Sequence, residues 1–390
     1  MTSPAPRSPR SSYLVFGSPQ IGEDAIAEVV DSLRSGWLGT GPKVARFERM
    51  LEDYVGVPHA RALGSCSMAL ALALRVIGVG AGDEVIVPAM TFAATVNAIE
   101  HAGARPVLVD CEPGTGLLDL EAAQAAISPR TVALIAVHLC GRPLDMQRLN
   151  ALRDRNAIAV VEDAAHALGA RWGRRPIGSH GNLTAFSFHV TKNITTIEGG
   201  ALMTDDSAVA ERVERLALHG LSAGAWERFS DAGHRHYEVV EPGFKFNMTD
   251  VQAAVGLHQL PMLDSWIDRR AELWQRYDER LADLPLQRPL APEAGTRHAR
   301  HLYTVAVTAA ARRSRDELLQ ALHEARIGAG VHYRAVHLQP YYRDRYEIAP
   351  EDLPVATSIS QRTLSLPLGP QLGDDDVDDV VDALRRALAA

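Results

Sequence analysis

Four side chains able to do chemistry follow or end two apolar runs in the middle of the chain. The runs Ala157–Val161 and Leu183–Phe188 have the length and composition of buried strands. In an open α/β sheet, ligands bind beyond the carboxyl ends of the strands, so we expect polar residues at these ends to meet at one site. The side chains concerned are Asp163, His166, Ser187 and Lys192.

These residue types match the needs of pyridoxal phosphate. This cofactor requires an amine that can form an imine with its aldehyde, an anion beside its ring nitrogen, and hydroxyl or N–H donors around its phosphate. Lys192 offers the amine, Asp163 the anion and Ser187 a hydroxyl. A lysine in this role is also the general base that moves the proton during transamination. Taken alone, Asp163 is an ordinary strand-end carboxylate and Lys192 an ordinary solvated lysine. Their occurrence together favours a catalytic role.

The same stretch carries a family resemblance. The segments EDAAHALGA (162–170) and FSFHVTKNITTIEGGALMTDD (186–206) resemble the DegT/DnrJ/StrS family of sugar aminotransferases, and the likeness extends from about Tyr13 to the last helix. The resemblance implies an α/β protein, a fold-type I pyridoxal-phosphate enzyme. Its large domain has a mostly parallel sheet flanked by helices, and its C-terminal domain is smaller. Some relatives carry His at the lysine position and catalyse a dehydration, so Lys192 favours the aminotransferase.

A Gly/Ser turn, residues 64–67, opens the apolar helix Met68–Ile77. A helix N-terminus binds anions through its free N–H groups and its dipole. In the family, a Ser-Gly-Thr run holds the cofactor phosphate at this place. Ser67 keeps a hydroxyl and Met68 follows it, so the resemblance assigns both to the phosphate, while Cys66 stands where the family has glycine. Simple N-capping by the serines is compatible with this role.

Three further cofactor contacts come from the resemblance. Phe92 follows the strand Glu84–Val87 in a motif whose aromatic stacks on the pyridine ring, although a core Phe is the alternative. Ala165 is small, as the residue beneath the ring must be. His166 reaches the phenolic oxygen of the ring.

A homodimer with two sites at the interface is also implied. In the family, one polar side chain of the block at 243–254 reaches the cofactor phosphate of the partner subunit. Many members have GxNxR there, and this chain has Lys245 and Asn247. The sequence does not choose between them. The GFKxN form accompanies transfer to the 4-position of the sugar more often than to the 3-position.

Two segments are expected near the substrate. SGWLGTGP (35–42) lies at the mouth of the active site in the family, which makes Trp37 and Thr40 candidate substrate contacts. HYRAVHLQPYY (332–342) turns towards the same opening, which adds His332 and Tyr333. Ordinary packing remains the alternative for these aromatic residues.

The elements that must position these residues alternate between strand and helix. Such alternation predicts a parallel sheet with helices on both faces. We expect a disordered tail at 1–12, a large domain at 13–260, and a linking helix with a small domain at 261–390. The predicted strands are Arg61–Leu63, Glu84–Val87, Arg105–Val109, Val132–Val137, Ala157–Val161, Leu183–Phe188, His301–Val307 and Ile327–Val331. The predicted helices are Ile21–Ser35, Val44–Tyr54, Met68–Ile77, a helix from Ala93, Leu120–Ile127, Leu144–Arg155, Ala208–Leu218, Pro261–Leu281, Asp316–Ala325 and Asp374–Leu388.

Composition narrows the class of protein. The 390 residues carry a formal charge of −8, which gives no reason to expect nucleic acid or an anionic membrane as partner. We see no apolar run long enough to span a bilayer and no signal peptide in the first twelve residues. The 3 scattered cysteines fit the reduced cytoplasm, and the 15 histidines show no metal-ligand spacing, so no metal is expected.

The combined prediction is amino transfer from glutamate or a similar donor to a nucleotide-linked keto-sugar. A dTDP- or UDP-4-keto-6-deoxyhexose, in amino-sugar or secondary-metabolite biosynthesis, is the favoured acceptor. The same motifs serve aminotransferases of keto-cyclitol and aminobenzoate pathways, which stay open. A non-catalytic sensor that keeps the fold is disfavoured by the intact set of Asp163, Ser187 and Lys192.

Overall fold

A mixed sheet forms the centre of the larger part of the molecule. The computed structural model describes residues 10–222 and 238–389, and in these residues the sheet has seven strands. The strands of the molecule are β1 (His59–Leu63), β2 (Glu84–Pro88), β3 (Arg105–Val109), β4 (Thr131–Val137), β5 (Ala159–Asp163), β6 (Arg171–Trp172), β7 (Arg175–Pro176), β8 (Leu183–Ser187), β9 (Gly200–Thr204), β10 (Leu286–Gln287), β11 (Tyr303–Val307) and β12 (Thr363–Leu366). The sheet order is β1-β9-β8-β5-β4-β2-β3, and β9 alone runs antiparallel to its neighbours in that described sheet. The predicted mostly parallel sheet is confirmed.

Helices cover both faces of this sheet. Side chains alternate along β4: Leu134 and Ala136 pack into one apolar core, and Ala133 and Ile135 pack into the other. The helices are α1 (Glu23–Ser35), α2 (Pro42–Val55), α3 (Cys66–Val76), α4 (Ala93–His101), α5 (Leu120–Ala125), α6 (Met146–Asn156), α7 (Ser207–Ala217), α8 (Asp250–Gln259), α9 (Leu263–Arg280), α10 (Arg315–Glu324), α11 (Pro340–Tyr346), α12 (Pro354–Arg362) and α13 (Asp374–Ala389).

A second, antiparallel sheet organises the C-terminal part. Its order is β10-β11-β12, and a third core joins it to α9, α10 and α13. Tyr277 and Tyr303 are the largest fully buried side chains of this core. Leu14, from the other end of the chain, packs into the same core. The N-terminal segment is therefore attached to the C-terminal part.

One predicted strand is absent from the structure, and several predicted boundaries are shifted by two residues. Ile327–Val331 is not a strand: Ile327 forms a single bridge with Leu14, and Gly330 forms another with Ser365. Each end of this segment pairs with a different neighbour, so no continuous ladder develops. The helix expected from Pro261 begins at Leu263.

Of the tail predicted at 1–12, the structure describes only residues 10–12, so its disorder stays a prediction. Arg10 forms ion pairs of 2.7 Å with Asp376 and Asp379 on α13, so the end of this segment is docked. Sequence analysis also left α8 unassigned, although Thr249 and Gln252 form a capping box at its start.

No helix within residues 10–222 or 238–389 is long and apolar enough to cross a membrane.

Candidate active site

A cavity of about 620 Å³ opens beyond the carboxyl ends of β5 and β8. A volume of this size is typical of small-molecule sites. Segments of the C-terminal part and of the N-terminal segment close its other side. The predicted site residues that line it are Ser67, Phe92, Asp163, Ala165, His166, Ser187, Lys192, His332 and Tyr333. The structure thus brings together residues from five separate stretches of the chain.

Lys192 lies in the loop after β8, and its backbone N–H donates to the carbonyl of His189 at 2.9 Å. Burial of the amino group lowers the pKa of Lys192 to about 8, against the smaller opposing effects of Cys66 and Asp163. A lysine with this pKa is neutral in a much larger fraction of molecules than an exposed one. The neutral amine is the form that reacts with a carbonyl group.

Asp163 ends β5 and is buried. Its Oδ2 accepts a hydrogen bond of 2.7 Å from the hydroxyl of Thr95, and its Oδ1 accepts one of 3.1 Å from the N–H of Ala165. Burial raises the pKa of Asp163 above its ordinary value, while these two hydrogen bonds and the charge of Lys192 act in the opposite direction. The carboxylate is therefore held by two donors and has further acceptor capacity.

The N-terminus of α3 faces the cavity. Ser65 caps it by accepting the N–H of Met68 at 3.2 Å, and Ser67 in the first turn lines the cavity. A Cβ added to Gly200 would lie 2.4 Å from the backbone N of Cys66. Glycine at this position thus lets the start of α3 lie directly against β9. Free N–H groups of the first turn and nearby hydroxyls form a site suited to a phosphate.

Cys66, which replaces the glycine of the family, does not fill this anion site. Its thiol donates to the carbonyl of Ala185 at 3.7 Å, and burial raises its pKa well above the ordinary value. Met68 does not line the cavity, and its N–H donates to the Ser65 hydroxyl in the cap of α3. Its contact with the phosphate stays a prediction.

His166 is a neutral hydrogen-bond donor. The N–H of Cys140 donates to its Nδ1 at 3.1 Å, so the ring proton resides on Nε2, which lies 2.9 Å from the hydroxyl of Tyr333. Burial lowers the pKa of His166 well below its ordinary value. The ring of His301 packs 4.4 Å away and fixes its plane.

Aromatic rings surround the mouth of the cavity. Phe92 is 58% exposed, and its ring centroid lies 5.6 Å from that of Tyr333. His332 stacks on Phe16 at 5.4 Å and shares a hydrogen bond of 2.8 Å with the hydroxyl of Ser365. Burial lowers the pKa of His332 to about 4, so this ring is neutral near pH 7.

Besides Met68, four predicted residues do not line this cavity. Asn247 Nδ2 donates to the hydroxyl of Thr40 at 2.7 Å, and both residues line a second cavity of about 280 Å³. Lys245 forms a backbone bridge with Leu218, and Trp37 packs near Gly41. The structure does not bring Trp37 or Thr40 to the substrate cavity of their own chain, because their loop packs on the 247–250 segment instead. A role for Lys245 or Asn247 at a partner's cofactor stays a prediction.

Sequence analysis missed Thr95, His301 and Phe16. Thr95 stands four residues after Thr91 at the start of α4, and this i, i+4 pair is the signal that could have marked it. Phe16 and His301 lie in segments with no motif, and only folding brings them to the cavity.

The residues present fit pyridoxal phosphate. One cavity combines a lysine whose amine is readily neutral, a buried carboxylate with acceptor capacity, and a helix N-terminus with hydroxyl groups. Ser67 and Ser187 would contact the phosphate, Asp163 the ring nitrogen, and Phe92 and Ala165 the two ring faces. The polar end of the cavity thus offers a partner for each functional group of the cofactor.

Comparison with known proteins gives concordant results. The DegT/DnrJ/EryC1/StrS aminotransferase family model matches residues 19–385. The spore coat polysaccharide biosynthesis protein SpsC of Bacillus subtilis is 45% identical over 379 residues, covering 96% of this chain and 97% of that protein. Streptococcus pneumoniae Spr1654, solved in PMP and PLP forms, superposes in the PMP form with a TM-score of 0.90 at 35% identity, covering 96% of this chain and 99% of that one. DesV of S. venezuelae superposes with a TM-score of 0.85 at 36% identity, covering 96% and 100%.

Proposed function

Because this chain belongs to the DegT/DnrJ/EryC1/StrS aminotransferase family, we propose that it transfers an amino group to C4 of a nucleotide-linked keto-sugar. Family membership makes the protein a sugar aminotransferase of fold type I that depends on pyridoxal phosphate. The proposal adds the donor, glutamate or a similar amino acid, and the acceptor, a dTDP- or UDP-4-keto-6-deoxyhexose.

The observation that carries the chemistry is the convergence of Lys192 and Asp163 on one cavity. When bound, pyridoxal phosphate supplies an aldehyde that receives the amino group and a ring that withdraws electrons from the reacting carbon. Asp163, held anionic, favours the protonated ring nitrogen, because a nearby anion raises the pKa of a cation. Lys192, with its amine free and neutral, would be the general base that holds the proton taken from the substrate carbon.

Other residues of the chain orient and shield the reactants. Because the Nδ1 of His166 accepts the N–H of Cys140, its Nε2–H is directed to the hydroxyl of Tyr333, and both residues line the cavity. Tyr333 and Phe92 contribute aromatic faces at the mouth, where they limit the access of water to the reacting groups.

Two observations support a sugar of a biosynthetic pathway. The relative SpsC is a polysaccharide biosynthesis protein, and it matches nearly the whole chain. The sequence Gly243-Phe244-Lys245-Phe246-Asn247 has the GFKxN form that accompanies 4-amino transfer in the family. The keto-cyclitol and aminobenzoate alternatives have no comparable support.

We also propose a homodimer with shared sites. Lys245 and Asn247 lie outside the cavity of their own chain, as expected of residues that serve a partner. Ile197, which directly precedes the cavity residue Glu198, is more than half exposed, and a partner subunit would cover such an apolar side chain. The free thiols of Cys66, Cys111 and Cys140 support a cytoplasmic location.

The decisive experiment incubates the cofactor-loaded protein with glutamate and a panel of ketones. The panel contains dTDP- and UDP-linked 4-keto and 3-keto sugars and a keto-cyclitol, and products are identified by mass and NMR. We expect the 4-amino sugar as the main product. A main product aminated at C3, or on the cyclitol ring, would refute the proposed acceptor, and no bleaching by any donor would support the sensor.

A further inference from the structure

The strongest unassigned feature is a chain of hydroxyl groups behind Asp163. Thr91 and Thr95 are both buried, their hydroxyl oxygens are 2.7 Å apart, and Thr95 donates to Asp163 Oδ2 at 2.7 Å. We infer that Thr95, supported by Thr91, is a positioning residue that keeps the Asp163 carboxylate ionised and fixed in orientation for the ring nitrogen of the cofactor. This inference rests on pyridoxal phosphate as the cofactor.

The direction of the hydrogen bonds follows from proton counting. A threonine hydroxyl has one proton to donate. Thr95 gives its proton to Asp163, which as a carboxylate can only accept, so the proton between the two threonines comes from Thr91. The chain therefore runs from Thr91 through Thr95 to Asp163, and every donor in it points towards the carboxylate.

Without such donors, burial would favour the neutral acid. Burial is the largest influence on Asp163 and raises its pKa, so the anion needs compensation. The ionisable groups that face it are Lys192, His138, Cys66 and Tyr333. The thiol and the phenol are neutral at pH 7, because burial raises the pKa of each.

Lys192 and His138, the two remaining groups, do not offset the burial of the Asp163 carboxylate throughout the reaction. Lys192 is committed to the cofactor during the reaction. His138 accepts the N–H of Leu144 on Nδ1 and hydrogen bonds Glu162 through Nε2, so its interactions are directed elsewhere. The Thr95 hydroxyl and the Ala165 N–H are therefore the constant donors to Asp163 in the described site.

Neither Thr91 nor Thr95 caps the N-terminus of α4 with its side chain. They flank the start of α4, where a Ser or Thr commonly accepts a backbone N–H as a cap. Here the N-cap is Phe92, which has no side-chain cap hydrogen bond, and the N–H of Thr95 bonds the Phe92 carbonyl instead. Both hydroxyls are thus free to support Asp163. The same turn places Phe92 in the cavity, so one segment supplies the stacking ring and the donors.

The test titrates the carboxyl group in cofactor-free protein by infrared spectroscopy. The C=O band of protonated Asp163 is assigned by its loss in Asp163→Asn. Thr95→Val, which keeps the shape and removes the hydroxyl, should raise the pH at which this band appears by about 1 to 2 pH units, as expected for loss of one hydrogen bond to a charged group. In Thr95→Ser, the band should appear at the same pH as in the wild type. In Thr91→Val, this pH should rise by a smaller amount than in Thr95→Val.

Thr184→Val is the matched control. Thr184 is a fully buried threonine on β8 whose hydroxyl makes only a 3.5 Å contact with the Asn182 carbonyl among the described residues. Its replacement should leave the pH at which the Asp163 band appears unchanged. The inference would be overturned if Asp163 titrated at the same pH in Thr95→Val as in the wild type and in Thr184→Val. It would also be overturned if Thr95→Ser shifted this pH as much as Thr95→Val does. If Thr95→Val does not fold, an unmoved band in Thr91→Val counts against the inference.

In loaded enzyme, a second readout separates positioning from stability. The pH titration of the visible absorbance of the cofactor should change in Thr95→Val and not in Thr184→Val. We expect kcat to fall about tenfold in Thr95→Val with KM for the donor nearly unchanged, because the ring nitrogen and not the substrate loses its support. A fall confined to KM would contradict the assigned role.

Discussion

The two walls of the cavity are built in different ways. One wall consists of strand ends and the loops that follow them, and it carries Asp163, Ser187 and Lys192. The other wall is assembled from the N-terminal segment and the loop after α10, and it carries Phe16 and His332. Sheet register fixes the first wall, whereas single backbone bridges and a ring stack hold the second. The wall that carries the amine and the carboxylate therefore has the more extensive backbone pairing of the two.

The two walls also differ in their electrostatics. On the strand-end wall, an amine and a carboxylate have pKa values moved by burial in opposite directions, towards each other. On the other wall, burial lowers the pKa of His332 to about 4, so the wall is uncharged near neutral pH. We therefore expect changes in the first wall to affect the chemical step and changes in the second to affect substrate binding.

The largest expected effect comes from Lys192→Ala. Loss of the amine removes both the covalent attachment and the general base, so kcat should fall by at least about 10²- to 10⁴-fold. Turnover with glutamate and the visible absorbance of the bound cofactor measure this loss. Lys43→Ala is the control, because Lys43 pairs with Glu28 and Asp31 outside the cavity and should retain wild-type turnover. Normal turnover in Lys192→Ala would refute the assignment.

The strand-end wall is also the wall that the sequence could predict. The run before Asp163 and the motif around Lys192 are local patterns, and the sheet brings their ends together by its topology alone. The strands Arg105–Val109 and Leu183–Ser187 were predicted within one residue for the same reason. The cap that Ser65 provides for the N–H of Met68 could not be predicted, because it depends on the side-chain direction of Ser65, which the motif does not give.

The second wall could be predicted only in part. The family resemblance pointed to His332 and Tyr333, which line the cavity, but Phe16 could not be found because its contact is long-range. Phe16 meets His332 across more than three hundred residues of chain, and no periodicity links them. The expected strand Ile327–Val331 was wrong because Ile327 and Gly330 form single bridges with two different segments of the chain. The polar stretch Leu221–Glu241, which contains His234 and Arg235, has the sequence of a long loop, and its part at 223–237 lies outside the described residues.

A partner subunit would supply a third wall, and complementation tests this. Lys192→Ala and a double variant, Lys245→Ala with Asn247→Ala, should each be nearly inactive, since each lacks one half of every shared site. Mixing and refolding them in equal amounts should restore about one quarter of wild-type activity, because about half of the dimers are hybrids with one intact site. Two preparations mixed without subunit exchange provide the control. Full activity of the double variant would show that the partner is not required.

The pH dependence of cofactor attachment tests the strand-end wall. Because burial lowers the pKa of Lys192 to about 8, the neutral amine increases as the pH rises and is the dominant form above that value. The rate of absorbance gain when cofactor-free protein meets pyridoxal phosphate should rise about tenfold per pH unit below this pKa and level off above it. His332, neutral throughout, should add no step between pH 6 and 8. A rate still rising at pH 10 would mean that Lys192 has an ordinary pKa.

The smallest effect is expected on the second wall, from Phe16→Ala. Phe16 stacks on His332 at 5.4 Å and lines the mouth, so its loss should loosen the substrate side without touching the amine or the carboxylate. We expect KM for the keto-sugar to rise about 2- to 10-fold, the value of one aromatic pair, with kcat and the absorbance of the bound cofactor unchanged. Tyr13→Ala is the matched control, because Tyr13 belongs to the same segment but faces His323 outside the cavity. A fall in kcat with unchanged KM would contradict the assignment of substrate binding to the second wall and of the chemical step to the first.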